Sequence, residues 1–486
     1  MQYIAAVDLG TTKVIMAIGK RGEKNKLEIV AIKEIASKGV IKGDVRNLKD
    51  AHTVILEVKQ EIEEELNITI SEVLIAISGK HIQCSSDVAY ITVQNAANGF
   101  SEITQEDVDR LSRDTRSSHI DQIDTILDVI PLSYKVDEDT DITEPIGMEG
   151  KRLEGKFTLI KGDIGAIGRI ERCFQRAGLE MLPPMLQPIA SAEAVLTEDE
   201  KELGVAVIDI GGGTTDLCVY YDKVIRHIAV IPIGGDIINT DIKAYGILDK
   251  FVEKVKIQCG EAIADKAPNS TIEIKGAHGK VSKTMHVKKL AGIIEARMYD
   301  IIDLAEREIS KATRGSKLNL GAGIVLTGGG VNLKNIDLLF QKKLGYDVRV
   351  ASPGLNLEKG SVEKVNSPKY STVVGVLLTA LKKNLTTQID GVPADEQLEG
   401  VNNQAQQPVA EQPSYDQRGQ QNNYAQEQEQ QYEQAPQHEF EPEPYYNEEQ
   451  DFEPRKVKVP AGTKLKNMFN NIFSEKELID DDEDNY

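Results

Sequence analysis

The 486-residue chain predicts an α/β fold built from two related halves, with a small α+β domain inserted and a non-globular C-terminal extension. Three observations predict it. The segment Ile4-Ala-Ala-Val-Asp8-Leu-Gly10-Thr11-Thr12-Lys13-Val14 is matched about 200 residues later by Val205-Ala-Val-Ile-Asp209-Ile-Gly211-Gly212-Gly213-Thr214-Thr215-Asp216-Leu217. A third segment, Gly323-Ile-Val-Leu-Thr327-Gly328-Gly329-Gly330-Val331, again runs an apolar strand into glycines. From about residue 386 to 454 the composition turns to Gln, Asn, Glu and Pro with almost no aliphatic residues.

Each of the first two segments reads as an apolar strand ending in Asp, a Gly turn, Thr residues and a second strand, which is a hairpin. Glycines let the backbone approach an anion, and successive N–H groups and Thr hydroxyls donate to phosphate oxygens. An Asp opening each turn is placed to hold a metal-bound water, since Mg²⁺ takes a few carboxylates and several waters. One such segment reads equally as an ordinary hairpin. The pair, with the third glycine segment, predicts two turns clamping a nucleotide's phosphates. Residues 332–339, after the third segment, read as a helix. Two segments rich in small residues, 186–196 and 370–381, read as helices able to cross closely.

Composition bounds the rest. The length implies several domains. The formal charge is −21, but seven Lys/Arg against 23 Asp/Glu after Asn384 leave 50 against 55 before it. The globular part is nearly neutral, with no compositional case for binding nucleic acid. Cys84, Cys173, Cys218 and Cys259 are widely spaced without a Cys-x-x-Cys pair, the pattern of a reduced cytosolic protein without structural zinc. The N-terminus lacks a basic n-region and no stretch nears the ~20 apolar residues of a membrane span, so neither a signal peptide nor a spanning helix is expected.

Between the first hairpin and residue 186, residues 73–81 and 88–93 read as strands and Thr104 as the N-cap of a helix. Then come VIPLSYKVD (129–137) and EPIGMEGKRLEG (144–155). A second insertion follows the second hairpin, with Gly234-Gly235-Asp236 and a helix carrying Glu253 and Lys256 at i, i+3.

At the C-terminal end, the polar stretch cannot bury enough apolar surface to offset its ordering entropy and reads as a disordered tether. Its root-mean-square span is about 45 Å for roughly 70 residues. Beyond it Leu465, Met468, Phe469, Ile472 and Phe473 fall at i, i+3, i+4, i+7 and i+8, a single helical face with Arg455, Lys456, Lys458, Lys464 and Lys466 nearby. Such a helix suits an anionic bilayer surface, and is too short to cross. Docking back onto the globular part is its other reading. The acidic run 480–484 repels anionic lipid over a screening length of about 10 Å.

The three glycine segments and two small-residue helices, in this order, resemble the actin/Hsp70/sugar-kinase nucleotide-binding superfamily over residues 1–384. That implies an actin-like, ribonuclease H-like duplicated fold. The insertion phrases at 129–137 and 144–155, with the 234–262 stretch, resemble the FtsA family of bacterial cell-division proteins. The resemblance implies subdomain 1A at 1–83, 164–200 and 365–384; an inserted α+β subdomain 1C at 84–163; subdomain 2A at 201–234 and 318–364; and subdomain 2B at 235–317. A linker at 385–454, a membrane-targeting helix at 455–474 and an acidic tail at 475–486 complete the chain.

The same resemblance, with the chemistry above, implies ATP and Mg²⁺ as cofactors. Asp8 and Asp209 hold the metal through water; Gly10, Thr11, Thr12, Lys13, Gly211, Gly212, Gly213, Thr214 and Thr215 contact phosphates; Gly328, Gly329 and Gly330 line the nucleotide; Glu253 and Lys256 reach ribose and base. An exposed lysine remains the alternative for Lys13, an exposed ion pair for Glu253 and Lys256, and either turn orientation or metal contact for Asp216. Gln187 stands where relatives position the attacking water; a neutral amide orients water but is no effective general base, so at most slow hydrolysis is expected. The implied job is to anchor filaments of the tubulin-like protein FtsZ at the cytoplasmic face of the inner membrane at the septum, with self-association and other divisome partners. The FtsZ C-terminal peptide docks on 235–317 in that family; Arg297, read as lying just before a long helix, is its candidate contact, with Lys288 and Lys289 behind it. A solvated helix arginine is the alternative. A pilus-assembly adaptor or a small-molecule kinase of the superfamily are the rival functions.

Overall fold

The computed structural model describes residues 3–93, 101–119, 123–275, 282–313 and 318–391, all within one unit, Met1–Glu396. The tether and the helix face of Leu465, Met468, Phe469, Ile472 and Phe473 lie outside the described residues.

Two sheets share one topology. In the first lobe Tyr3–Leu9 and Lys13–Arg21 form an antiparallel hairpin, Leu27–Ala36 extends it antiparallel, and Glu72–Ile77 joins Tyr3–Leu9 in parallel. In the second, Val205–Ile210, Thr215–Tyr221 and Val224–Ile231 form the meander, while Ile324–Thr327 joins Val205–Ile210 in parallel and Val348–Val350 follows it. All six residues of Val205–Ile210 are buried, as are residues 4–9 of the first strand. Helices cover both faces of such a sheet, which is why these strands are continuous apolar runs rather than alternating ones.

The two small-residue helices, Gln187–Val195 and Ser371–Lys382, cross at the junction of the lobes. A Cβ on Gly375 would overlap the Ala190 carbonyl, so the backbones meet with no side chain between them. Every residue from 371 to 381 is buried.

The inserted domain is a four-stranded antiparallel sheet in the order Asp139–Ile142, Asp124–Val136, Arg152–Asp163, Ile82–Thr92. Its helix Gln105–Ser117 starts at a Thr104–Asp107 capping box and closes a separate core with Leu111, Leu153 and Phe157. The second insertion carries helices Asp236–Ala244, Asp249–Cys259 and the 27-residue Val287–Thr313.

Three expectations need correction. The strand read at 88–93 begins at Ile82, because pairing with Arg152–Asp163 holds a polar stretch, residues 83–87, that has no apolar period of its own. The helix expected from residue 332 begins at Ile336; Gly329–Asn332 forms a 3₁₀ turn and Asn335 is left-handed (φ 59°), which breaks continuity. Arg297 lies in the middle of Val287–Thr313, not ahead of it.

Candidate functional site

Both Asp-Gly turns have the same geometry. Gly10 N donates to Lys13 O at 3.0 Å, and Gly211 N donates to Thr214 O at 2.9 Å. In strand register Asp8 stands opposite Ile15 and Asp209 opposite Asp216. The turns face each other: a Cβ on Gly212 would overlap the Thr12 side chain, and one on Gly213 the Thr11 hydroxyl. Gly235 N and Asp236 N donate to Gly211 O (2.9 Å) and Gly212 O (2.8 Å), so the start of the second insertion buttresses the second turn. Gly328 has φ +89° and lies so close to Asp209 that any side chain there would strike its carboxylate.

Together these elements line a cleft of about 920 Å³ between the lobes. It gathers Asp8, residues 10–13, Gln187, Asp209, residues 211–214, Asp216, Glu253, Lys256 and residues 328–330. Thr215 is a correction: fully buried, its hydroxyl donates to Ile233 O at 2.8 Å, because strand alternation turns it away from the cleft. Arg297 is elsewhere, donating to Asp241 (2.5 Å) and Asp300 (2.9 Å). Sequence reasoning missed Glu34 and Lys369, ion-paired at 2.5 Å on the cleft wall, along with Asp236 and Thr372. Only Asp236 had a signal, its place after Gly234-Gly235.

The carboxylates are held in short supply of positive charge. Burial pushes Asp8 up to about 7; Lys13 opposes the shift, while Asp209 and Glu34 add to it. Burial likewise lowers the Lys13 ammonium, against the pull of Asp8, Glu34 and Asp209. Lys13 is therefore not an exposed strand lysine. Asp209 is raised by burial although Ser191 (2.5 Å) and Thr372 (3.3 Å) donate to it. Asp216 is raised further by burial, and accepts hydrogen bonds from the Ser78 and Thr214 hydroxyls.

Gln187, first residue of its helix, donates from Nε2 to Asp8 Oδ1 at 2.9 Å. Glu253 and Lys256 pair at 2.8 Å, while Asn239 donates to Glu253 at 2.6 Å and Lys256 donates to Gly235 O at 3.4 Å. They are thus both an ion pair and part of the cleft wall.

Among the described residues no three His, Cys, Asp or Glu side chains cluster to hold a metal directly. A hydrated Mg²⁺ shared with phosphates needs only one or two carboxylates, and two buried, under-compensated acids facing a polyanion cradle fit it. The arrangement suits an anion chain seated between two sets of N–H and hydroxyl donors, with a dication beside it.

Twin meander-plus-parallel sheets hinged on two crossing helices, with a cleft at paired Asp-Gly turns, define an actin-like protein. The fold is shared with the solved PilM–PilN type IV pilus biogenesis complex, at a TM-score of 0.55 and 14% identity, covering 78% of this chain and 98% of that one. A sequence model of cell division protein FtsA matches residues 206–375, and one of the SHS2 domain inserted in FtsA matches residues 79–161. The chain is 35% identical over 384 residues to cell division protein FtsA of Neisseria meningitidis serogroup B, covering 78% of this chain and 91% of that protein. It is 31% identical over 383 residues to its counterpart in Escherichia coli K12, covering 77% and 90%. The chain belongs to the FtsA family of cell-division proteins.

Proposed function

We propose that this chain is an ATP-binding division protein that tethers FtsZ filaments to the cytoplasmic membrane. The carrying observation is the pair of facing Gly/Thr turns with a buried carboxylate behind each, in a chain of the FtsA family. The N–H groups of 11–12 and 212–214 and the Thr11 and Thr12 hydroxyls bind the phosphates, Gly10 and Gly211 closing the turns with theirs, and Lys13 offsets the phosphate charge. Asp8 and Asp209 hold the waters of Mg²⁺, which, when bound, neutralises the phosphate oxygens. Gln187 is fixed by Asp8 and orients water without abstracting its proton, so turnover is slow. Residues 328–330, Glu253 and Lys256 wall the nucleoside. ATP bound to both turns holds the lobes closed, which favours self-association.

Among the described residues no helix is long and apolar enough to cross a membrane. Attachment in this proposal is peripheral, through the apolar face from Leu465 to Phe473. The FtsZ peptide docks on 235–317. An acidic peptide reaching Arg297 must displace Asp241 and Asp300, so Lys288 and Lys289 on the same helix are the competing contacts. Other divisome proteins complete the assembly.

The test is co-sedimentation of FtsZ with anionic vesicles in the presence of this protein and Mg·ATP. The wild type is expected to carry FtsZ into the pellet. A Leu465→Glu, Phe469→Glu double variant is expected to leave both proteins in the supernatant; pelleting by that variant sinks the anchor.

A further inference from the structure

The inserted domain joins the first lobe through two stems, and the first of them runs directly behind the cleft. It leaves the strand Glu72–Ile77 as Ser78-Gly79-Lys80-His81 and enters the sheet at Ile82. Ser78 is 4% exposed and its hydroxyl donates to Asp216 Oδ1, a residue of the second lobe that also accepts from Thr214 in the second turn at 3.4 Å. The same stem is linked to the first turn through the loop at Gly43. Gly43 N donates to Thr11 Oγ1 at 3.3 Å, and a Cβ on Gly43 (φ +75°) would overlap the Ser78 carbonyl. Ser78 is thus linked to both turns through one intervening residue each, to the second by its hydroxyl through Asp216 and to the first by its carbonyl packed against Gly43.

The second stem is clasped by the same loop. Asp163 N donates to His81 O at 3.1 Å, joining the two stems. Arg169, on helix Ile164–Arg176, donates to Asp44 at 2.6 Å and to Val45 O at 3.1 Å. The far side of the insertion meets the second lobe, where Arg226 donates to Leu132 O at 2.9 Å. A domain covalently rooted in one lobe and bonded to the other cannot stay still when the angle between the lobes changes.

The stem also carries a penalty in this arrangement. His81 is 7% exposed, and neither ring nitrogen finds a hydrogen-bond partner among the described residues. Gly79 is at φ +146°, where a side chain would strike the His81 ring. A buried polar ring left unpaired costs free energy. Release of the stem lets the ring find water, which offsets part of what the grip contributes.

We propose that Ser78 is a positioning residue that transmits closure of the cleft to the inserted domain, gripping the domain's stem when both turns hold one ligand and releasing it when they part. The inference rests on the nucleotide reading of the cleft. It adds that the inserted domain's orientation, and hence any surface it offers a partner, is set by the nucleotide. Ser78 is absent from the cleft lining, so its role is separable from binding.

The experiment is hydrogen–deuterium exchange of the full-length chain with and without Mg·ATP. In the wild type, ATP is expected to slow exchange in the two turns and, by about tenfold, in Ile82–Thr92 and Ile164–Arg176. Ser78→Ala is expected to keep ATP affinity within about threefold and turn protection intact, yet lose the stem protection. Ser78→Thr restores it. Arg169→Gln, which removes the ion pair to Asp44, is expected to lose protection in Ile164–Arg176 alone, with the unchanged melting temperature of the two lobes checking that the chain is folded. Stem protection unchanged in Ser78→Ala, a wild-type stem indifferent to ATP while the turns respond, or loss of ATP binding in Ser78→Ala each overturns the inference. Turns that do not respond in the wild type overturn the nucleotide reading itself, and this inference with it.

Discussion

The turn at 10–13 and the turn at 211–214 are closed by the same hydrogen bond and sit in matching strand registers, yet they carry opposite equipment. The first is Gly-Thr-Thr-Lys, with two hydroxyls and a cation. The second is Gly-Gly-Gly-Thr, backbone alone for three residues. The difference follows from their facing each other: Thr11 and Thr12 occupy the space that side chains at 213 and 212 would need. One turn supplies groups and the other supplies room. The strands behind them diverge as well. Position 15 is a core isoleucine, whereas its counterpart, Asp216, is a buried acceptor for Ser78 of the other lobe. The two related halves thus differ in use: one turn carries the ligand-facing groups, and the strand behind the other is bonded across to the first lobe.

The sharpest way to break this division is to put a side chain into the turn that has none. Gly213→Val must displace Thr11 and the backbone of Lys42, and is expected to weaken ATP binding at least about 100-fold and to destabilise the chain by about 1–3 kcal/mol. Calorimetric titration and urea unfolding measure the two effects.

The second prediction concerns the acid behind the first turn. Asp8 sits at about 7 when folded against 3.8 unfolded. Between those values the folded chain holds more protons than the unfolded chain, so its contribution to stability is lost as pH rises from about 4 to about 7. Asp8→Asn removes that loss, and the ligand-free variant is expected to exceed the wild type by about 1–3 kcal/mol at pH 8, with little difference at pH 4. The same variant should lose Mg²⁺-dependent ATP binding. Denaturant melts across pH, with and without Mg·ATP, decide it; equal pH slopes for the two proteins would count against the buried-acid account.

The smallest effect is expected at Thr215, which separates the turn from the strand behind it. Thr215→Val leaves Ile233 O without its donor and should cost about 1 kcal/mol in stability while ATP affinity stays put. A fall in affinity of tenfold or more would return Thr215 to the cleft.

Much of this was legible in the residues. The hairpins, the crossing small-residue helices and the Thr104 cap depend on local chemistry: glycine at a turn, apolar runs for doubly covered strands, a hydroxyl before a helix. Strand Ile82–Thr92 was only half visible, because its first residues are polar and owe their extended form to a partner strand about 70 residues away in sequence. Thr215 was misplaced because a Thr-Thr pair in sequence looks like two donors, and strand alternation sends only one of them to the cleft. Glu34 and Lys369 gave no signal, since nothing local marks two charged residues more than 300 positions apart as an ion pair.

The sequence alone determined the duplicated class, the two turns, the insertion and the family, because repeated glycine-acid patterns and apolar periods are local and survive without knowledge of packing. Tertiary structure alone decided that the two clamping turns pack directly, Thr11 and Thr12 against Gly213 and Gly212, that Asp216 belongs to the other lobe's Ser78, and that the inserted domain is held by both lobes. Those facts are distances between segments remote in the chain, set by how the two cores pack across crossing helices, and no local pattern encodes them.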